Sequence, residues 1–159
     1  MRKGDGVTKS RMLTLTRQEV IMDRRIETLW LTLRIGFGLT AFLAGLDKFF
    51  GLLVDWTQYL SPLVTDVVPL SATTIMQIVG GIEMIVGIAV LSGVATRITA
   101  YVVAVWLLLI AIQLVATGRY FDVAVRDVML ALGAFTLARL SEVRDEQHHP
   151  VRRAATAAA

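Results

Sequence analysis

The stretch VVAVWLLLIAIQLVA, residues 102–116, holds a single polar side chain, Gln113, and is apolar around its whole circumference when wound as a helix. A helix in the core of a soluble protein this small would carry a polar stripe, so this one must be surrounded by lipid or by other membrane spans. The requirement is severe, because inside a bilayer every backbone N–H and C=O must be satisfied by the segment itself or by a closed sheet. Other apolar runs of comparable length place spans at about 29–50, 74–92, 98–117 and 123–140. The first and fourth are interrupted by charge, and the long side chains there must snorkel or find partners. The expected fold is all-α: a membrane four-helix bundle over residues 28–141.

Several function classes fall away on composition. Cysteine is absent, which removes thiolate nucleophiles, disulfide exchange, Cys-ligated zinc and iron–sulfur clusters. The two histidines, His148 and His149, lie in the polar C-terminal stretch, so no span offers the paired imidazoles of a membrane cytochrome, and an isolated pair is a weak metal signal. No metal site and no catalytic residue is assigned. The net charge of +3 does not imply nucleic acid, because membrane proteins hold lysine and arginine for orientation.

That orientation follows from counting bases by segment. Seven (Arg2, Lys3, Lys9, Arg11, Arg17, Arg24, Arg25) precede the first span, Arg97 lies in the second loop, and Arg139, Arg144, Arg152 and Arg153 follow the last span, twelve in all. The opposite side has Lys48, Arg119 and Arg126. Both termini are therefore expected in the cytoplasm, with the protein multi-pass in the cytoplasmic membrane. No segment has the layout of a cleavable signal peptide. Residues 1–27 form a basic segment with a weak amphipathic pattern, expected either to lie on the membrane surface or to be solvated. Met22, before DRRIETLWL, is an alternative start, and whether residues 1–21 belong to the native chain stays open. Residues 142–159 are expected as a polar, disordered cytoplasmic tail.

The outer loop, GLLVDWTQYLSPLVTDVVPLSA, is too apolar to hang free, and Pro62 and Pro69 break any long helix in it. It is expected to form a short interfacial or re-entrant segment over the outer mouth.

Helical spacing locates the faces that meet. Arg34, Ala41 and Lys48 recur every seven residues, and Gly38 and Gly45 follow the same period. Small residues let membrane helices approach closely, so this face packs and carries its charges inward. In GGIEMIVGIAVLSG, Gly80, Glu83 and Gly87 fall on one face, which puts Glu83 near mid-membrane. A lone carboxylate there costs at least about 2.5 kcal/mol and calls for a proton or a cation. In the fourth span Asp127, Ala131, Ala134 and Ala138 make a further small-residue face, and Asp122 and Arg126 are spaced as an i,i+4 pair. Asp47, Lys48, Glu83, Arg126 and Asp127 thus converge on the outer half of the interior, with Lys48 or Arg126 the expected partner of Glu83. Gln113 either bonds across helices or lines the same site. Two readings of this cluster stand, a salt-bridge network that fixes register and a polar ligand pocket. Arg34 and Arg97 are expected to snorkel to phosphates near the cytoplasmic face.

The motifs LRIGFGLTAFLAGLDKF and GGIEMIVGIAVLSGVATRITA resemble the DoxX family of small four-helix membrane proteins, over about residues 29–140. Arg34, Gly45, Lys48, Gly80, Glu83, Gly87 and Arg97 match the family's pattern. The resemblance implies a cytoplasmic-membrane bundle associated with redox systems, since relatives include a subunit of a thiosulfate:quinone oxidoreductase and a membrane partner of enzymes handling oxidative and thiol stress. The basic N-terminal extension departs from the pattern. The expected function is a membrane subunit of a redox-linked complex, with a quinone or small anion in the outer-half pocket. No intrinsic cofactor and no catalysis by this chain alone is expected. Its expected partners are the lipid bilayer and a redox enzyme or a second copy of the chain. A small-solute transporter or channel built as an oligomer, and a passive anchor or assembly factor, are the alternatives.

Overall fold

The computed structural model describes residues 4–148. Its elements are α1 (Gly4–Phe50), a 3-10 turn at Trp56–Tyr59, α2 (Pro62–Val67), α3 (Ala72–Ser92), α4 (Thr96–Ala116) and α5 (Phe121–His148), and no strand occurs among the described residues. Three segments, Ile21–Phe50, Ala72–Ser92 and Thr96–Ala116, are long and apolar enough to cross a membrane. By composition α5 is not among them, because charges punctuate it. It nonetheless packs along the length of α4: Ala100 clusters with Leu137 and Ala138 near one end, and Ala111 and Leu114 with Ala124 near the other. Val125, Met129, Leu132 and Phe135 meanwhile face outward, as a lipid-exposed side requires.

Each boundary has a local cause. Ser71 caps α3 by accepting the Thr74 N–H at 3.1 Å, and Gly93 ends it in the left-handed region at φ +78°, where only glycine fits without strain. Ser61 caps α2, whose first residue is Pro62, a position where the missing N–H costs nothing. Ala95 and Tyr120, at φ +53° and +58°, turn the chain sharply into α4 and α5.

Two ends of the fold differ from the sequence reading. No proline interrupts residues 4–50, and α1 is one helix over that whole stretch, so the basic segment is continuous with the first span rather than separate from it. The tail expected from residue 142 begins as helix, since α5 continues to His148 with Glu142 and Arg144 held by partners on other helices. Residues 1–3 and 149–159, with His149, Arg152 and Arg153, lie outside the described residues.

Candidate functional site

The seam between α1 and α3 positions the charged cluster. These antiparallel helices meet with Gly45 against Gly80 and Gly38 against Gly87. A Cβ on Gly45 would lie 2.5 Å from the Gly80 carbonyl oxygen, and one on Gly80 2.6 Å from the Gly45 carbonyl oxygen. At Gly87 the nearest atom is the Phe42 backbone nitrogen at 2.7 Å, and at Gly38 the Leu91 side chain at 2.6 Å. Most of these obstacles are backbone, which cannot swing away as a side chain can, so the spacing of the two helices depends on the missing methyl groups.

Lys48 lies one turn beyond Gly45, and Glu83 one turn beyond Gly80. The close approach brings Lys48 Nζ to 2.5 Å from Glu83 Oε2, with the two side chains 5% and 18% exposed. Of the two bases expected to serve Glu83, the lysine does so. Burial at this level makes the pair costly to break, because either charge left alone would be desolvated without a counter-charge. Trp56 covers the ammonium, its ring centroid 3.8 Å from Nζ, a cation–π contact strengthened where water is excluded.

Arg126 is drawn to its neighbour Asp127, with Nε at 3.0 Å and Nη2 at 2.9 Å from Oδ1. The Asp127 side chain is 4% exposed and that of Arg126 55%, so the carboxylate faces the interior while its guanidinium reaches out. Asp127 also lies within electrostatic range of both Lys48 and Glu83. The buried ammonium thus bonds one carboxylate, that of Glu83, while Asp127, paired with Arg126, stands within its field.

Asp47 does other work. Its carboxylate accepts the N–H groups of Leu52 and Leu53 at 2.9 and 3.2 Å and the Trp56 indole N–H at 2.7 Å, tying the chain after α1 back onto the helix end. Gln113 donates to the Tyr59 carbonyl at 3.3 Å, pinning the 3-10 turn to α4. Tyr59 stacks edge-on to Tyr120 at 4.9 Å and to Trp56 at 6.2 Å. The loop is therefore a lid held by Asp47, Gln113 and an aromatic row, with Leu52, Leu53, Leu63 and Val67 exposed along its rim. Asp55, outside the membrane helices, caps the 3-10 turn, and bonds from the Thr57 hydroxyl and N–H hold its carboxyl below the ordinary aspartate range.

At the opposite end, Arg34 turns inward. Its Nη2 donates to the Leu91 carbonyl at 2.8 Å, in the last turn of α3 where carbonyls lack helical partners. Arg97 pairs with Glu142, Nε to Oε1 3.0 Å, while remaining half-exposed. A network that the sequence did not reveal surrounds them. Trp30 stacks between Arg34 and Arg144, at 4.6 and 4.1 Å, and donates to the Ser141 hydroxyl at 2.8 Å. Arg144 reaches Glu27 at 2.8 Å, and Tyr101 donates to Glu142 at 3.0 Å. The four-residue step from Trp30 to Arg34 was a usable signal for the first stacking contact. The remaining contacts join residues more than 40 positions apart, which no local pattern encodes.

Comparison with known proteins gives one family. Residues 29–117 match the model of the DoxX family, a stretch that includes Lys48, Glu83 and all four packing glycines and stops before Arg126 and Asp127. No curated protein and no solved structure matches the chain.

Proposed function

The chain belongs to the DoxX family, the match spanning more than half its length, and from that premise we propose that this multi-pass membrane protein is a subunit of a redox-linked complex whose Lys48–Glu83–Asp127 cluster meets a quinone head group or a small anion. One observation carries this reading: a buried Lys48–Glu83 ion pair beneath the Trp56 ring. Intramembrane ionisable groups are retained at a cost, and a ligand-linked proton or charge is a common reason. A quinone would supply the electron-accepting chemistry, and a partner protein the electrons. Within this chain Lys48 would donate a hydrogen bond to a ligand oxygen, and Glu83, the more exposed of the pair, would hold or release the accompanying proton. The lid would keep water from the site.

The same reading places both termini in the cytoplasm, for the basic residues cluster at that end. Labelling of single cysteines introduced at residues 9 and 148 by an impermeant reagent outside intact cells would overturn this orientation.

Glu83→Gln in the purified native complex tests the function. Assembly with loss of quinone-dependent turnover supports the proposal. Unchanged turnover in an assembled complex sinks it, and loss of assembly with turnover intact in the remaining complexes assigns the pair to scaffolding instead.

A further inference from the structure

At the end of the bundle away from the lid, the turn from α3 into α4 gathers polar groups that the rest of the chain does not satisfy. Two buried side-chain atoms among the described residues have no hydrogen-bond partner, Arg34 Nε and Thr96 Oγ1. Both fall at this turn. The Arg34 guanidinium reaches it from α1: Nη2 donates to the Leu91 carbonyl at 2.8 Å, and Nη1 lies 2.8 Å from where a Cβ on Gly93 would stand. Thr96, three residues after Gly93, is the first residue of α4 and only 4% exposed. Ala100, one turn later, packs with Trp30, the ring that the guanidinium covers at 4.6 Å.

The charge at this turn is also unmatched. Glu27 is bonded to Arg144, and Glu142 to Arg97 and Arg139, whereas no carboxylate among the described residues lies within ion-pair distance of Arg34. In addition α4 starts without a cap, because Ala95 at the N-cap position has no side-chain oxygen to accept the first N–H groups of this 21-residue helix. A helix N-terminus carries partial positive charge and favours an anion. The Thr96 side chain, on the first turn of α4, is tilted back toward that same end. A cation, a positive helix end and an orphaned hydroxyl thus meet, and the Leu91 carbonyl engages only Nη2.

We propose that this turn binds a phosphate-type oxyanion, which accepts hydrogen bonds from Arg34 Nε, the Thr96 hydroxyl and the first N–H groups of α4. A water molecule could bond the same atoms but brings no charge, and Arg34 would stay unpaired where it is partly desolvated. Val94, Ala95 and Arg97 are exposed, which opens the turn to solution and to the head-group layer alike. Inorganic phosphate and the phosphate of an anionic lipid present the same oxygens. The site lies at the opposite end from Lys48 and does not depend on what that cluster binds.

Melting of the full chain in mild detergent, in sodium phosphate against sodium chloride of equal ionic strength, gives the phosphate affinity from the rise of Tm with concentration. The unsubstituted chain should melt higher in phosphate. Thr96→Val, which keeps the side-chain shape, and Arg34→Lys, which keeps the charge, should each weaken that affinity about tenfold, the factor of one hydrogen bond to a charged group. Phosphatidylglycerol against phosphatidylcholine, added in chloride buffer, forms the second arm. Stabilisation by phosphatidylglycerol that both variants lose, with inorganic phosphate inert, supports the site and assigns its oxyanion to a lipid head group. No stabilisation of the unsubstituted chain by either phosphate source, or stabilisation that both variants retain, would overturn the proposal. So would a Thr96→Val chain that melts higher than the unsubstituted one in every buffer, since that is how an orphaned hydroxyl without a ligand behaves.

Discussion

The two antiparallel helix pairs of this bundle are closed in different ways. Between α1 and α3, glycines bring backbone against backbone, and Gly45 and Gly80 leave no room for even a methyl group. Between α4 and α5, alanines do the packing: Ala100, Ala104, Ala111, Ala124, Ala131, Ala134 and Ala138 are all buried. Lipid offers helices no hydrophobic reason to associate, so both seams rely on small residues that raise contact area. The difference lies in what each seam positions. The glycine seam draws two backbones close enough for the short reach of Glu83 to meet Lys48, whereas the alanine seam leaves its arginines at the rim, half-exposed and shared on Glu142. Close approach therefore buries both members of an ion pair on one side of the molecule, whereas on the other Asp127 is buried while its partner Arg126 stays exposed.

The sharpest break of that contrast is bulk in the glycine seam. Gly45→Leu and Gly80→Leu should destabilise the bundle by more than about 3 kcal/mol, beyond ordinary overpacking because the obstruction is backbone. Gly81→Ala, with nothing within 4 Å of the added Cβ, should be nearly silent. Melting in detergent compares them, and equal effects at Gly80 and Gly81 would refute the close-approach account.

Next comes the charge pair that this seam positions. Lys48→Met strands a buried carboxylate and should cost about 3–5 kcal/mol, while Lys48→Met with Glu83→Leu should recover much of that loss. A double-mutant cycle measures the coupling, expected at about 0.5–3 kcal/mol. Strict additivity would mean that the contact carries no energy.

Asp47→Asn should act more locally, costing about 1–3 kcal/mol through weaker bonds to Leu52, Leu53 and Trp56. Faster amide exchange at residues 52–56, with the alanine seam unchanged, would confirm that the lid is tied from α1. Uniform acceleration throughout the chain would show instead that Asp47 supports the whole bundle.

The smallest effect is a pH response of the same lid. Asp55 has its carboxyl held below the ordinary range by Thr57, so its cap is complete above the unfolded aspartate value, about 4, and is lost as the pH falls through the lower folded value. Trp56 fluorescence should shift in that acid window, and Asp55→Asn should remove the transition.

Much of this was open to a reader of the sequence because it repeats along single helices. Residues 102–116 cannot be anything but a membrane helix, and the seven-residue recurrence of Gly38 and Gly45, like the spacing of Gly80, Glu83 and Gly87, marks packing faces whatever their partners. The alanines of α5 were legible for the same reason. Periodicity reports which side of a helix is special, and it does so without reference to any neighbour.

What tertiary structure alone decided is which face meets which, at what rotation and height. Lys48 and Arg126 were equivalent candidates for Glu83 on paper, and only the register of α1 against α3 gave the lysine to Glu83 and left Arg126 to Asp127. Asp47, adjacent in sequence to Lys48, turned out to serve the lid because successive helical residues point about 100° apart. Gln113 found a backbone carbonyl in the lid, and Trp30 found Ser141, 111 residues away. Such contacts depend on the translation and rotation of one rigid helix against another, and a sliding of one turn would exchange every partner while leaving each helix's own pattern untouched.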